Sequence, residues 1–394
     1  MVKLEKILNL WRGRTLSLKG KSLIINTLGT SKLWYTASVL QIPGPIVTKI
    51  NKLIWDFLWS GKVAQVSRDS CVQSYDKGGL GVSHVLTRVQ ALQFKWIRAA
   101  ADQSSPAKWV HFARYWTSRR LAIRPEWHWL RGNSIPVAAP GPCPGVYEDL
   151  LQTLDKLRAW ATRVPVTSFT ARNIYAELLK LLPIPTRAQR EWECRLNPGV
   201  PWPKVWAHTY RGLSSNWESD LLWKIRHRVV RTAFFLTSHM RFQFSPNCKR
   251  CGPRNRRETQ KHVFMSCPIA RAVWDWVLPI ASAIHGSPLA RTEATLFWDA
   301  SLSRSGGDQG KTYLVTYLFK LTSYLLWEFR NKFVFEQQQS SSVDVVRAIQ
   351  RRIRDRIKGE ASLYPEGHAV AHHKWGINDV LCVLRADGTL TITY

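Results

Sequence analysis

The stretch Cys248-Lys-Arg-Cys-Gly252, followed by His262 and Cys267, decides how the second half of this chain folds. Its spacing is C-x2-C-x10-H-x4-C, and the interval holds no other cysteine or histidine. Two cysteines at this spacing can present both sulfurs from one tight loop, and Gly252 eases the turn. The spacing predicts that Cys248, Cys251, His262 and Cys267 bind one tetrahedral Zn²⁺ ion.

Four protein ligands leave no open coordination position, so the predicted zinc is structural rather than catalytic. Pro268 follows the last ligand, and apolar residues at helical spacing follow Pro268. Cys267 is therefore predicted at a helix N-terminus, where the partial positive charge favours a thiolate. The alternative is that the motif is two free surface cysteines, an incidental histidine and a buried cysteine.

The charge of the chain is strongly unbalanced. Its 394 residues include 57 Lys and Arg against 27 Asp and Glu, which gives a formal net charge of +30. Because such a surplus repels itself in a compact fold, it favours a polyanionic partner, and RNA and/or DNA is the expected one. A membrane partner is not expected, because the longest apolar stretch, Tyr313 to Trp327, is interrupted by Lys320.

The N-terminus and the cysteines bear on the compartment. Residues 1–6, Met-Val-Lys-Leu-Glu-Lys, lack the apolar region of a signal peptide. The chain has seven cysteines, an odd number, and three of them belong to the metal motif. These features favour a reducing compartment, so a nuclear and/or cytoplasmic protein, not a secreted one, is expected.

Apolar periodicity predicts a mostly α-helical fold. Most of the 20 tryptophans are expected in the core, as with Trp55 and Trp59 on one helical face. The predicted domains are a helical region at 1–124, a Pro/Gly-rich linker at 125–145, a helical domain with the zinc motif at 146–363, and a tail at 364–394. The tail is predicted to form a β-hairpin around Asp387-Gly388. The segment Lys77-Gly-Gly-Leu-Gly-Val82 is interpreted as a turn rather than a phosphate loop, and no small-molecule substrate is expected.

Basic residues at regular spacing suggest nucleic-acid contacts. Ser215 to Met240 is predicted to be one amphipathic helix with Lys224, Arg228 and Arg231 on its polar face. A basic connector before the helix near Ser22 could hold a phosphate or could be a solvated loop. The predicted contact residues are Arg12, Arg14, Lys19, Lys21, Lys224, Arg228, Arg231, Arg351 and Arg352.

Several stretches together resemble the C-terminal region of non-LTR (LINE-type) retrotransposon reverse transcriptases. These are Trp11-Arg-Gly-Arg-Thr-Leu-Ser-Leu-Lys-Gly-Lys-Ser-Leu-Ile-Ile-Asn26 with Ser31-Lys-Leu-Trp-Tyr35, Ile54-Trp-Asp-Phe-Leu-Trp-Ser-Gly-Lys62, Gly78-Gly-Leu-Gly-Val82 with Ala91-Leu-Gln-Phe-Lys-Trp96, the Cys248–Cys267 motif with Ala272-Val-Trp274, and Leu326-Trp-Glu-Phe-Arg-Asn-Lys332. The resemblance implies a thumb-like helical region at 1–124, downstream of a polymerase core, followed by a zinc-binding domain. It also implies that the chain handles RNA or DNA.

The chain contains no Asp-Asp pair, whereas these polymerases hold two Mg²⁺ ions with paired aspartates. We therefore expect the chain to be no enzyme, but a fragment or truncated copy that grips template RNA or target DNA, with the missing polymerase core as a possible partner. The alternatives are a protein-interaction scaffold or a remnant without activity. A complete enzyme with other chemistry is the least favoured hypothesis, because carboxylates are scarce.

Overall fold

The computed structural model describes residues 2–101, 106–120, 144–161, 163–182, 187–194, 200–254, 256–298, 309–363 and 366–394. It is 69% helical, with one short antiparallel hairpin near the C-terminus, which confirms the predicted mostly α fold. The chain divides into two compact units. We call Met1–Ser74 with Gly79–Ile184 the N-terminal unit, and Tyr75–Gly78 with Pro185–Tyr394 the C-terminal unit.

The described part of the N-terminal unit consists of helices. They are α1 (Val2–Arg12), α2 (Leu18–Ile24), a π-helical turn (Ile25–Gly29), α3 (Ser31–Ala37), α4 (Gly44–Leu58), α5 (Arg68–Val72), α6 (Val85–Phe94), α7 (Trp96–Ala101), α8 (Trp109–Arg120), α9 (Gly145–Ala161) and α10 (Ala171–Lys180), with a 3₁₀ turn at Val166–Ser168. Apolar residues of α4 recur on its buried face, including Ile50, Ile54 and Trp55.

A buried apolar cluster of the N-terminal unit contradicts the predicted domain boundary. Ala91, Phe94 and Ile97 form one buried cluster with residues of α9 and α10, including Leu154 and Ile174. Residues 144–182 therefore complete the N-terminal unit rather than begin a new domain, and the chain divides near Pro185. Most of the predicted linker, residues 125–143, lies outside the described residues.

The glycine-rich segment before α6 has a packing role in the N-terminal unit. A Cβ on Gly79 would lie 1.8 Å from the carbonyl oxygen of Gln73, so only glycine fits there. Side chains of α2 and of the π-helical turn hold the backbone that follows: Ser22 Oγ donates to Leu80 O at 2.7 Å, and Asn26 Nδ2 donates to Gly81 O at 2.8 Å. These contacts favour the interpretation of this segment as a turn.

The C-terminal unit is also built mainly from helices. They are α11 (Arg187–Glu193), α12 (Trp202–His208), α13 (Asn216–Arg226), α14 (Ala233–Met240), a 3₁₀ turn (Lys249–Arg254), a π-helical turn (His262–Ser266), α15 (Pro268–His285), α16 (Glu293–Trp298), α17 (Gln309–Glu336), α18 (Ser342–Ala361) and α19 (Gly367–Trp375). Short 3₁₀ turns lie at Tyr75–Lys77 and Ile377–Asp379. Strands β1 (Cys382–Leu384) and β2 (Leu390–Ile392) pair antiparallel with Val383 opposite Thr391, confirming the predicted hairpin.

Tryptophans fill the core of the C-terminal unit, as the sequence predicts. The rings of Trp192, Trp202 and Trp206 surround Trp298 at centroid distances of 4.9, 4.9 and 5.5 Å. Arg226 is fully buried beside them, and its guanidinium donates to Phe297 O at 2.7 Å and to Thr209 Oγ1 at 2.7 Å. A buried arginine costs free energy unless its donors are satisfied, and here carbonyl and hydroxyl oxygens accept from it.

The prediction of a single helix from Ser215 to Met240 is wrong, because the helix is interrupted between α13 and α14. Carbonyls at the end of α13 accept from side chains elsewhere: Trp192 Nε1 donates to Arg226 O, and Gln260 Nε2 donates to Ile225 O, both at 2.9 Å. Arg228 then adopts a left-handed backbone with φ 56°. Thr232 Oγ1 accepts from Phe235 N at 3.2 Å and starts α14 as a separate helix.

Lys320, which interrupts the apolar stretch of α17, is buried and has a structural role. Its Nζ donates to the carbonyls of His208, Thr209 and Arg211 at 3.0–3.2 Å, so a cation lies at the C-terminal end of α12. Within the described ranges, no helix combines the length and the apolar character that crossing a bilayer requires.

Candidate metal centre and basic surfaces

The four predicted ligands come from four local structures of the C-terminal unit. An antiparallel bridge pairs Asn247 with Arg257, and Cys248 N donates to Arg256 O at 2.8 Å. Cys251 lies in the 3₁₀ turn that follows, and His262 begins the π-helical turn. Cys267 is the N-cap of α15 with Pro268 as its first residue, as predicted.

These local structures bring the four ligand atoms together. Cys251 Sγ lies 3.2 Å from His262 Nε2 and 3.8 Å from Cys267 Sγ. All four ligand atoms lie within 4.8 Å of one another. A Zn–S bond of about 2.3 Å implies sulfurs roughly 3.8 Å apart in a tetrahedron, so the cluster has the size that a metal ion needs. Cys248, Cys251, His262 and Cys267 could therefore hold a metal ion.

The electrostatics of the cluster also suit a cation. Hydrogen bonding from Cys248, opposed by burial and aided by His262 and the backbone N–H of Ile269, lowers the pKa of Cys267 to about 3. The same contact with Cys267, with burial, raises the pKa of Cys248. Burial, followed by the neighbouring Cys267, raises the pKa of Cys251. One thiolate forms readily, and further thiolates need a positive charge among them.

Arg250 lies between the first two cysteines in the sequence and places a positive charge near the cysteine sulfurs. Its Nε and Nη2 atoms are buried without a hydrogen-bond partner in the described structure. Burial lowers the pKa of Arg250, and the charges of the three cysteine sulfurs oppose that shift. A divalent cation with three thiolates has a net charge of −1, which this guanidinium would neutralise. The donor set, with Nε and Nη2 of Arg250 left without hydrogen-bond partners, therefore fits a bound metal cation.

A buried ion pair joins the segment between Cys251 and His262 to the rest of the unit. Glu258 accepts from Arg330 of α17 through both carboxylate oxygens, and the two side chains are 2% and 5% exposed. Its Oε2 also accepts from Ala233 N, the first residue of α14, at 2.7 Å. Glu258 was not among the predicted site residues, because its partner Arg330 is 72 positions away.

The predicted nucleic-acid contacts near the N-terminus lie in two environments. Arg12 and Arg14 are exposed, and the Arg14 guanidinium lies 4.8 Å from the centroid of the Trp11 ring. Lys19 is half-buried. Lys21 Nζ donates to Leu58 O at 3.3 Å and to Ser60 Oγ, so it contacts the end of α4.

The predicted basic face of Lys224, Arg228 and Arg231 does not exist as a helical face. Only Lys224 lies in a helix, and all three are half-buried. Arg228 Nη1 pairs with Glu191 Oε2 at 2.9 Å, and its guanidinium lies 5.7 Å from the centroid of Trp192. The structure therefore uses Arg228 in internal packing contacts.

Helix α18 carries a basic surface that sequence reasoning located only in part. Val345, Ile349, Ile353 and Ile357 are buried at four-residue intervals. On the opposite face Arg347, Arg351, Arg354 and Lys358 are exposed. We call these four residues the α18 basic stripe; its length is roughly 16 Å at 1.5 Å per residue.

Of the two predicted residues of α18, Arg351 belongs to the stripe. Arg352 is exposed on the flank of the helix nearer Glu218, Tyr317 and Tyr324. Spacings of 4, 3 and 4 residues were the signal for the other three.

Comparison with known proteins gives one informative similarity. The chain is 30% identical over 154 residues to the transposon TX1 uncharacterized 149 kDa protein of Xenopus laevis. The match covers 36% of this chain and 11% of that protein. No family model matches the chain. The similarity to a transposon protein agrees with the resemblance found in the sequence at the level of a retrotransposon-derived protein.

Proposed function

We propose that this chain is a zinc-stabilised nucleic-acid-binding module derived from the C-terminal, post-polymerase part of a non-LTR retrotransposon reverse transcriptase. It grips template RNA or target DNA and carries out no chemical step of its own. The likeness to a transposon protein supports the origin. The clustered Cys248, Cys251, His262 and Cys267 support the metal, and a CCHC set of soft and borderline donors favours zinc.

Zinc in this module is structural. When bound, it supplies a crosslink between the turn at Cys251 and the start of α15, and all four coordination positions are taken by protein atoms. The Glu258–Arg330 pair holds the same segment on α17. Together these contacts orient the exposed residues of the motif on a rigid base.

The α18 basic stripe is the observation that carries the nucleic-acid function. Its four cations lie on one exposed face, and within the described residues no carboxylate forms an ion pair with any of them. A phosphate backbone lying along the helix would release counterions from each contact. Binding is therefore expected to tolerate changes of sequence and to weaken steeply with salt.

The test measures fluorescence anisotropy of labelled single-stranded RNA and duplex DNA with the full chain over a salt series. Replacing Arg347, Arg351, Arg354 and Lys358 by glutamine should weaken binding and reduce the slope of log K against log salt by about 3. The matched control replaces four exposed lysines of α1 and α4, Lys3, Lys6, Lys49 and Lys52, and removes the same charge. An equal effect of both variants would refute a local binding face, and no binding by the parent chain at low salt would refute the function.

A second candidate function concerns the N-terminal unit alone. Leu10, Leu23 and Tyr35 are 71%, 60% and 87% exposed on α1, α2 and α3. Large exposed apolar side chains favour a protein-binding surface, and the proposed partner is a polymerase core of the kind the resemblance implies. Replacing the three by serine should abolish co-purification with such a core while leaving nucleic-acid binding unchanged.

A further inference from the structure

An exposed aromatic pair lies directly before the metal motif. Phe242 and Phe244 are 52% and 46% exposed, and their ring centroids are 6.1 Å apart with a 48° angle between the planes. Every residue from Arg241 to Ser245 is exposed. Two adjacent exposed rings are unfavourable in water, in contrast to the buried tryptophans of the same unit, and such apolar patches favour a ligand-binding surface.

The backbone holds this pair from both sides. Arg241 ends α14 in the left-handed region, with φ 56° and ψ 29°, and Phe242 N donates to Leu236 O at 3.2 Å. A non-glycine residue in that conformation is uncommon at a helix end. On the other side, Glu258 N donates to Pro246 O at 2.8 Å at the start of the metal motif. The two rings are therefore presented by a short segment fixed at both ends.

Cations accompany the rings. Lys249, Arg256 and Arg257 are exposed on the metal motif, and Arg241 is exposed beside the first ring. The Arg257 guanidinium also lies 5.8 Å from the centroid of Phe234 in α14. Among the described residues, no acidic side chain forms an ion pair with any of these four cations. The charge complementarity points to an anionic ligand with apolar faces.

We infer that Phe242 and Phe244 stack on unpaired bases of single-stranded nucleic acid, while Arg241, Lys249, Arg256 and Arg257 contact its phosphates. The inference rests on the proposed nucleic-acid function and adds the strand state to it. Bases inside a duplex are covered by their neighbours, so a phenyl ring reaches the face of a base only in a single strand. Stacking tolerates any base sequence, and single-stranded RNA and DNA share this chemistry.

The test compares a parent chain with a Phe242→Ala/Phe244→Ala double variant on rU20, dT20 and a 20-base-pair DNA duplex. The double variant should lose about tenfold or more in affinity for the single strands and little for the duplex. A Phe242→Tyr/Phe244→Tyr variant should restore single-strand binding. The matched control is Phe112→Ala, which removes a phenyl ring that is 62% exposed in the N-terminal unit.

A spectroscopic signature separates stacking from loss of fold. A 2-aminopurine base within the single strand should be quenched on binding to the parent and Tyr variants but not to the Ala variant. Unchanged single-strand affinity of the Ala variant, or an equal loss on the duplex, would overturn the stacking inference while leaving the proposed function in place. Failure of the parent chain to bind any of the probes would overturn both. Equal behaviour of rU20 and dT20 supports stacking as the shared contact, and binding of only one would overturn this sequence-tolerant form of it.

Discussion

The Glu258–Arg330 pair allows a quantitative test of how the metal motif is held. Replacing Glu258 by alanine leaves a guanidinium that is 5% exposed without its carboxylate. It also removes the acceptor that lies 2.7 Å from Ala233 N at the start of α14. Breaking a buried pair from one side destabilises by about 3–5 kcal/mol, because the remaining charge stays buried and uncompensated.

For a unit of this size, each kcal/mol lowers the melting temperature by about 2–4 °C. The expected decrease for Glu258→Ala is therefore roughly 6–20 °C, measured by scanning calorimetry of the zinc-loaded chain. The double variant Glu258→Leu/Arg330→Met should recover much of the loss, because it leaves no buried charge. Asp275→Asn serves as a surface control: Asp275 is 70% exposed in its pair with Arg291, and the expected change is about 0–1 kcal/mol. A Glu258→Ala change no larger than the surface control would refute the reasoning.

Three further predictions concern single residues of the C-terminal unit. Cys251→Ser should remove most bound zinc and destabilise by at least about 4 kcal/mol, whereas the exposed Cys194→Ser should change neither zinc content, read by atomic emission, nor melting. Burial, opposed by the hydrogen bond to Gly78 O, lowers the pKa of His227 to about 4, so the unfolded chain binds the proton first as pH falls. The stability that neutral His227 contributes is complete above about pH 6.5 and is lost between pH 6.5 and pH 4; about 2 kcal/mol is lost at pH 5. His227→Gln should flatten this part of the plot of unfolding free energy, measured with urea, against pH. Lys320→Met should cost roughly 3 kcal/mol in urea unfolding, because three carbonyls lose their donor, and a cost under about 0.5 kcal/mol would contradict that role.

Features that depend on local chain geometry could be predicted from the amino-acid sequence. The spacing of Cys248, Cys251, His262 and Cys267 predicted one metal cluster, and these residues come together in the structure. Pro268 after the last cysteine predicted a helix start, and the Asp387-Gly388 pair predicted the hairpin turn. In each case the interacting groups are within about twenty positions, so chain geometry alone restricts the outcome.

Tertiary contacts decided where the helices end and which cations are exposed. Nothing in the sequence between Ser215 and Met240 interrupts the helical pattern, yet α13 ends at Arg226. There the side chains of Trp192 and Gln260, which are distant in sequence, donate hydrogen bonds to the last carbonyls of the helix. Periodicity cannot register such partners, because they lie about 34 and 35 positions away. The split of the predicted basic face follows directly from this break.

Long-range contacts also decide which basic residues remain exposed and could bind a ligand. Lys21 and Arg228 look like surface cations in the sequence, but each is engaged by a partner that only the fold brings near, Leu58 O and Glu191 respectively. The α18 stripe stays exposed because the isoleucines on the opposite face are buried, a pattern the sequence carries. Local spacing therefore determined the candidate metal ligands and the α18 face. Long-range hydrogen bonds and ion pairs decided the helix boundaries and the anchoring of the motif through Glu258, and apolar packing of α6 and α7 on α9 and α10 decided the division near Pro185.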